Sequence, residues 1–149
     1  MKPTILLVED NPSDEKLTLR AFGKCDVENT IVVAHDGAEA LDYLLGRGRF
    51  EEPNRPELPS MVLLDLKLPR VDGLEVVRQA RADERARVVP IVILTASREE
   101  EDIAQGFRLG ANAYIRKPVD YVQFVAAANI IGTFWLRLNE PAPALRKLP

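Results

Sequence analysis

Several residue types are scarce in this sequence, and each shortage excludes a class of protein. A single cysteine, Cys25, excludes an internal disulfide and a metal cluster held by cysteines. Lys and Arg number 20 against 23 Asp and Glu, so no basic excess indicates a nucleic-acid surface. No apolar run reaches the roughly 18 residues of a membrane span, and the first residues lack the apolar region of a signal peptide. We expect a cytoplasmic protein that binds neither nucleic acid nor membranes.

A glycine-rich phosphate loop of either common type is also absent, which leaves a nucleotide-binding fold without support. Short apolar runs bounded by turn residues are present instead, and they alternate with helical patterns. Such runs are typical of strands that are buried on both faces of a parallel sheet. The predicted strands are residues 4–8, 30–34, 61–64, 91–94 and 111–115.

Each predicted strand is followed by a helical pattern. Asn11 precedes Pro12, which suits the first helical position, and three capping boxes open at Asp36, Asp72 and Ser97. The predicted helices are residues 12–23, 37–45, 73–82, 98–109 and 119–138. Five strand–helix repeats predict an α/β fold, a single doubly wound parallel sheet of five strands with helices on both faces. We assign this domain to residues 1–138 and expect the proline-rich residues 139–149 to form an arm or a disordered end.

Polar side chains follow four of the predicted strands at their carboxyl ends, where parallel α/β sheets bind ligands. They are Glu9 and Asp10 after the first strand, Asp65 after the third, Thr95 after the fourth and Lys117 after the fifth. Each of them alone also fits a helix cap or a solvated side chain. Together, the three carboxylates would repel one another unless a cation held them, and oxygen ligands suit Mg²⁺. Because aspartate is a nucleophile for phosphoryl groups, the set predicts a phosphoryl-handling site.

Four segments that contain these residues resemble the signatures of one protein family. They are residues 7–12 (LVEDNP), 63–73 (LLDLKLPRVDG), 93–97 (ILTAS) and 114–118 (YIRKP). In order and spacing they are similar to the receiver domain of two-component response regulators, and the likeness covers residues 4–138. The resemblance implies a flavodoxin-like (CheY-like) fold in which Asp65 accepts a phosphoryl group from a sensor histidine kinase.

The resemblance also implies the ligands of the site. Glu9, Asp10, Asp65 and the backbone carbonyl of Lys67 would bind Mg²⁺. Lys117 would contact a phosphoryl oxygen, and the peptide bond from this lysine to the proline that follows would be cis.

A switch is implied as well. After phosphorylation the Thr95 hydroxyl would reach toward a phosphoryl oxygen, and Tyr114 would turn inward into the space that is vacated. The signal would then appear on the face formed by the fourth helix, the fifth strand and the last helix. In physical terms, this is a two-state element that a local change of charge biases.

The last predicted helix is unusual, because residues 121–136 carry no charged side chain. A second apolar face indicates contact with another subunit, and we expect a two-fold homodimer with Ile131 and Trp135 at its interface. The alternative is that the tail covers this helix. The long loop before Ser60 and the Phe134–Leu136 segment resemble a subfamily of stand-alone receivers that serve bacterial phytochrome-type kinases.

These observations favour a stand-alone response regulator that signals to a partner protein and whose only chemistry is on itself. One rival is a phosphatase with an aspartyl nucleophile and Mg²⁺. Many such enzymes carry a second aspartate two residues after the nucleophile, where this chain has Lys67. The other rival is a receiver-like interaction module that is never phosphorylated, and the complete set of site residues argues against it.

Overall fold

The computed structural model describes residues 2–145 and contains a five-stranded sheet. The strands are Thr4–Val8 (β1), Thr30–Ala34 (β2), Met61–Leu64 (β3), Ile91–Thr95 (β4) and Ala113–Arg116 (β5). Neighbouring strands are parallel and lie in the order β2-β1-β3-β4-β5. The predicted doubly wound parallel sheet is confirmed.

The register of the sheet brings the carboxyl ends of the central strands together. Val8 at the end of β1 lies opposite Leu64 at the end of β3, and Leu64 lies opposite Ile93 of β4. The Lys117 N–H donates to the Thr95 carbonyl oxygen at 2.8 Å and so extends the pairing of β4 with β5 by one residue. Side chains that follow these strands therefore share one edge of the sheet.

Five α-helices cover the two faces of the sheet. They are Pro12–Gly23 (α1), Gly37–Leu45 (α2), Gly73–Ala82 (α3), Glu100–Leu109 (α4) and Tyr121–Thr133 (α5). One face carries α1 and α5, which pack against each other, and the opposite face carries α2 and α3, with α4 beside α3. Strands β1, β3 and β4 are buried on both faces, which explains why their sequences are continuous apolar runs.

The predicted helix starts are confirmed at three positions and wrong at one. The side chains of Asn11, Asp36 and Asp72 each accept a hydrogen bond from the backbone N–H three residues later. Ser97 does not cap a helix, because α4 begins only at Glu100 and the residue before it makes no side-chain cap. The Ser97 hydroxyl has a different partner, described below.

Two further details differ from the sequence prediction. The last helix begins at Tyr121 and changes into a π-helical turn over Phe134–Leu138, instead of running as one α-helix over residues 119–138. The predicted cis bond between Lys117 and Pro118 is wrong, since the cis peptide bond among residues 2–145 is the one before Pro53. The trans form is the one that X–Pro bonds ordinarily favour, by about 0.5–1 kcal/mol.

Helix α5 is apolar on two sides, as its sequence suggested. Its inner side lies in the core, and on its outer side Val122 and Ile130 are 73% and 70% exposed. Ile131, predicted at a subunit interface, is 4% exposed and packs in the core of its own domain. Trp135 also packs in part against that core. The prediction therefore assigned Ile131 to the wrong side, because a uniformly apolar helix does not reveal its orientation.

The described part of the tail does not cover the outer side of α5. It ends in a 3₁₀ turn, Pro143–Leu145, and Leu145 packs against the apolar cluster between the sheet and helices α2 and α3. The rest of the predicted arm, residues 146–149, lies outside the described residues. Within residues 2–145, no helix has the length and apolar character needed to cross a membrane.

Candidate functional site

Asp65 directly follows β3, and the surrounding loops hold its carboxylate in place. The side chain is 12% exposed. Its Oδ1 accepts hydrogen bonds from the Thr95 hydroxyl at 2.9 Å and from the Lys67 backbone N–H at 3.2 Å. The chain returns close to it at Gly73, where an added Cβ would lie 2.5 Å from the Asp65 carbonyl oxygen. Only glycine fits at that point of close approach.

Lys117, the first residue after β5, supplies the positive charge of the site. Its ammonium group donates to Glu9 Oε1 at 2.6 Å, Asp65 Oδ2 at 2.9 Å and Asp14 Oδ2 at 3.1 Å. An ammonium has three N–H donors, so these contacts use all of them. The side chains of Lys117 and Glu9 are 11% and 2% exposed. In such a poorly solvated place, a charge that lost its partner would be costly.

Burial and the lysine act in opposite directions on the two buried carboxylates. Burial raises the pKa of Glu9, and the hydrogen bond and charge of Lys117 offset this only in part. Burial also raises the pKa of Asp65, but the hydrogen bonds from Lys117, Lys67 and Thr95 together outweigh it and leave that pKa below its ordinary value. Burial lowers the pKa of Lys117, yet its bonds to Glu9 and Asp65 raise it overall. At neutral pH, Asp65 is therefore an ionised carboxylate beside a charged lysine.

The structure brings Glu9, Asp65, Thr95 and Lys117 together, as the sequence predicted, but Asp10 lies outside the cluster. The Asp10 side chain is exposed. It borders a cavity of about 520 Å³ beside the loop that follows Asp65. Lys67, whose N–H donates to Asp65, also lines this cavity.

Asp14 is a member of the cluster that the sequence prediction missed. Carboxylate oxygens of Glu9, Asp14 and Asp65 all lie within 4.8 Å of one another. Asp14 comes from the first turn of α1, which starts three residues after Glu9 and so lies above the same edge of the sheet. The short connection between Glu9 and α1 was the feature of the sequence that could have predicted the position of Asp14. An oxygen-only donor set of this kind fits a hard divalent cation such as Mg²⁺ or Mn²⁺.

Tyr114, predicted as the aromatic part of a switch, is half-buried in β5 and packs against the cluster on the α3 and α4 side of the sheet. Its hydroxyl donates to the Ser97 carbonyl oxygen at 3.2 Å. Burial raises the pKa of Tyr114, so the hydroxyl remains a donor at neutral pH. Of the two predicted switch residues, Thr95 thus has its partner at the site, and Tyr114 has its partner in the loop between β4 and α4.

The sequence matches a known family and several individual proteins. The match is to the response regulator receiver domain, over residues 5–129. The chain is 40% identical over 141 residues to the probable methanogenesis regulatory protein FilR2 of Methanothrix harundinacea. The matched region covers 94% of this chain and 88% of FilR2. The chain is 32% identical over 132 residues to the response regulator Rcp1 of Synechocystis sp., with coverage of 89% and 88%.

Solved structures give the same result. The phosphorylated cyanobacterial phytochrome response regulator RcpA matches with a TM-score of 0.86 and 34% identity, over 95% of this chain and 99% of RcpA. The Mn²⁺-bound form of Rcp1 matches with a TM-score of 0.85 and 30% identity, over 94% and 99%. The bacteriophytochrome response regulator AtBRR matches with a TM-score of 0.74 and 49% identity, also over 94% and 99%.

Proposed function

The chain belongs to the family of response regulator receiver domains, and we propose that it is a stand-alone response regulator whose Asp65 accepts a phosphoryl group from a sensor histidine kinase. The observation that carries this proposal is the arrangement around Asp65, a mostly buried and ionised carboxylate with Lys117 on one oxygen and Thr95 on the other. The likeness to RcpA, which was solved in a phosphorylated form, supports it.

In the transfer, a carboxylate oxygen of Asp65 forms a bond to phosphorus while the phosphorus–nitrogen bond of the donor's phosphohistidine breaks. The imidazole leaves with the electron pair of that bond. Lys117, whose ammonium donates to Glu9, Asp14 and Asp65, can turn one N–H to a phosphoryl oxygen and stabilise its negative charge. All of this chemistry is on the chain itself, so the protein would not turn over an external substrate.

A divalent cation, Mg²⁺, is part of the proposal. Glu9, Asp14 and Asp65 are the carboxylates within reach of one ion, and Asp10 and the carbonyl of Lys67 are further oxygen ligands expected from the family. When bound, the ion would neutralise charge on the oxygens of the transferring phosphoryl group. The solved Mn²⁺-bound form of Rcp1 supports such a site.

The signal would leave the site through Thr95 and Tyr114. In the phosphorylated protein the Thr95 hydroxyl would bond to a phosphoryl oxygen in place of the Asp65 carboxylate, and Tyr114 would turn further inward, into the space that Thr95 vacates. We define the output face as α4, β5 and α5, because Tyr114 lies in β5 and its hydroxyl contacts the loop that leads into α4. A partner protein would bind the phosphorylated protein on this face.

The test is intact mass spectrometry after incubation with acetyl phosphate and Mg²⁺. We expect the wild type to gain one phosphoryl group, and we expect no gain when Mg²⁺ is chelated or when Asp65 is replaced by asparagine. The Asp65→Asn side chain keeps the shape of the carboxylate but is not a nucleophile. Steady release of phosphate without an adduct would favour the phosphatase, and neither adduct nor release would favour the unphosphorylated interaction module.

A phytochrome-type histidine kinase is the partner that we propose upstream. The support is the likeness to RcpA and AtBRR, both described as phytochrome response regulators, and the coverage of 99% of each of those chains. Residues 1–138 would be the receiver and residues 139–149 an arm. A cytoplasmic location without nucleic-acid contact belongs to the same proposal. Phosphotransfer from a light-regulated phytochrome kinase should be faster than transfer from an unrelated histidine kinase; equal rates would contradict this assignment.

We also propose that two copies associate through the outer side of α5. There the exposed side chains of Val122, Ile130, Phe134 and Leu138 are all apolar and recur along the helix and its π-helical extension. Helix α5 itself carries no charged side chain, so along it two copies can pair across a two-fold axis without like charges opposing each other. Apolar side chains exposed in succession along a helix are a common mark of such contacts.

Ile130→Glu tests this interface. We expect sedimentation velocity to show a shift from dimer to monomer with unchanged circular dichroism, because Ile130 is 70% exposed and its replacement leaves the core intact. Ala82→Glu, which adds the same charge on the exposed end of α3, should leave the dimer unchanged. A monomeric wild type, or an Ile130→Glu protein that stays dimeric, would contradict the proposal.

A further inference from the structure

Ser97 makes a hydrogen bond that the proposed phosphoryl transfer does not use. It lies in the loop between β4 and α4 and is 7% exposed. Its hydroxyl donates to Asp102 Oδ2 at 2.6 Å and accepts from the Glu99 N–H at 3.4 Å. Asp102 lies in the first turn of α4. The loop is therefore tied to the helix that follows it by a charged acceptor, and such bonds are stronger than neutral ones.

The backbone of Ser97 contacts both switch residues. Its N–H donates to Thr95 Oγ1 at 3.4 Å, and its carbonyl oxygen accepts from the Tyr114 hydroxyl at 3.2 Å. The Thr95 hydroxyl in turn donates to Asp65. A displacement of Ser97 would thus disturb the partner of Tyr114 and the neighbour of Thr95 together.

Helix α4 also provides the space for the Tyr114 ring. Gly106 is buried in the middle of α4, and a Cβ added there would lie 3.0 Å from Ile93 Cδ1 and 3.4 Å from Tyr114 Cδ2. Glycine in a helix interior costs roughly 0.8–1.0 kcal/mol relative to alanine, so its presence needs a reason. That reason is Ile93, on which an added methyl group would press, while the Tyr114 ring lies at ordinary van der Waals distance from the same point of the helix. The Tyr114 ring therefore packs against α4, the helix that Asp102 joins to Ser97.

We propose that Asp102 is a positioning residue which, by holding Ser97 in place, keeps Tyr114 packed against α4 and the Thr95 hydroxyl on Asp65 before any phosphoryl group is present. The proposal builds on the proposed function and extends it to regulation. The bond between Asp102 and Ser97 acts on the reaction only through other residues. If it is lost, the loop gains freedom, the Tyr114 hydroxyl loses a fixed partner, and the site accepts a phosphoryl group more slowly.

The test uses protein labelled with 3-fluorotyrosine, because the chain has three tyrosines and ¹⁹F resonances report their surroundings separately. In Asp102→Ala, the Tyr114 resonance should move toward the solvent-exposed value while those of Tyr43 and Tyr121 stay in place. Uptake of phosphate from acetyl phosphate should slow by roughly 5- to 30-fold, the factor that the loss of one hydrogen bond represents. Ser97→Ala removes the donor of the same bond and should have the same two effects.

Two variants serve as controls. Asp102→Asn keeps an acceptor oxygen without the charge, and should show smaller effects than Asp102→Ala. Glu101→Ala removes the same charge from the same exposed turn of α4 without touching Ser97, and should also leave the Tyr114 resonance unchanged.

The proposal is overturned if the Tyr114 resonance and the uptake rate of Asp102→Ala equal those of the wild type. It is also overturned if Glu101→Ala or Asp102→Asn reproduces the Asp102→Ala effects, since the charge of the helix end and not the hydrogen bond would then be responsible. The Tyr114 resonance is measured on unphosphorylated protein. Failure of the wild type to take up phosphate would therefore count against the proposed function, while the resonance would still test the role of Asp102.

Discussion

Replacing Lys117 with methionine tests how the carboxylate cluster is held together. Methionine keeps a long flexible side chain but removes the charge and the donors that reach Glu9, Asp14 and Asp65. Breaking a buried ion pair by removing one partner costs about 3–5 kcal/mol. Most of this loss belongs to Glu9 and Asp65, whose side chains are 2% and 12% exposed, because Asp14 at 43% exposure is screened by solvent. We expect the free energy of unfolding to fall by about 3–5 kcal/mol at pH 7.

The loss should depend on pH, because a buried carboxylate without its lysine can take up a proton. Burial raises the pKa of Glu9 even with Lys117 present, and without the lysine that pKa rises further. Protonating a glutamate of ordinary pKa costs about 1.4 kcal/mol for each unit by which the pH exceeds that pKa. The cost is therefore about 4 kcal/mol at pH 7 and about 1 kcal/mol at pH 5. A group whose pKa is raised by folding favours the folded state at low pH. The difference between Lys117→Met and wild type should therefore grow as the pH rises from 5 to 7.

The measurement is urea unfolding at pH 5, 6 and 7, followed by circular dichroism at one fixed protein concentration. Lys16→Met is the control, since Lys16 is exposed on α1 and its replacement should change the free energy of unfolding by less than about 0.5 kcal/mol. Mg²⁺ should restore part of the stability of Lys117→Met by replacing the missing positive charge. A loss below about 1 kcal/mol at pH 7, or the same loss at pH 5 and pH 7, would refute this reasoning.

Two further predictions concern the structure around the output face. Arg81→Met should lower the free energy of unfolding by about 2–4 kcal/mol, because the Arg81 guanidinium donates at 2.7–3.0 Å to four acceptors in the loops before β4 and after α4. Arg85→Met should have little effect, and equal urea midpoints for the two variants would contradict this role. Gly106→Ala should fail to gain the roughly 1 kcal/mol that alanine ordinarily brings to a helix, since the added methyl would press on the fully buried Ile93. Gly23→Ala is the control and should not be destabilising, because no atom lies within 4 Å of the added Cβ. A clear rise in the thermal unfolding temperature of Gly106→Ala would contradict the packing argument.

Much of the site could be predicted because of one geometric rule. Parallel strands end at a common edge, so residues that follow four different strands must come close together. The rule places Glu9, Asp65, Thr95 and Lys117 in one cluster from the sequence alone, and the structure confirms that they meet. The strand ends were themselves easy to recognise, since each apolar run stops abruptly at a polar residue.

The errors among the polar side chains near the site have a physical cause in common, which is that they depend on side-chain direction. Asp10 follows the same strand as Glu9, but adjacent residues of an extended chain point to opposite sides, and only Glu9 turns into the cluster. Asp14 enters from a helix, whose phase relative to the sheet edge the sequence does not state. Ser97 has the spacing of a helix cap, yet its hydroxyl finds the stronger, charged acceptor of Asp102. Such competition among possible partners is decided by tertiary packing.

The measurement that tests the central claim most directly is identification of the phosphorylated residue. Borohydride reduces the acyl phosphate of a phosphorylated aspartate to an alcohol, so that residue is converted to homoserine. After treatment with acetyl phosphate and Mg²⁺, reduction and proteolysis, tandem mass spectrometry should find homoserine at position 65 and at no other aspartate. Homoserine at Asp10 or Asp14, or its absence from a protein that has taken up phosphate, would contradict the assignment of Asp65 as the phosphoryl acceptor.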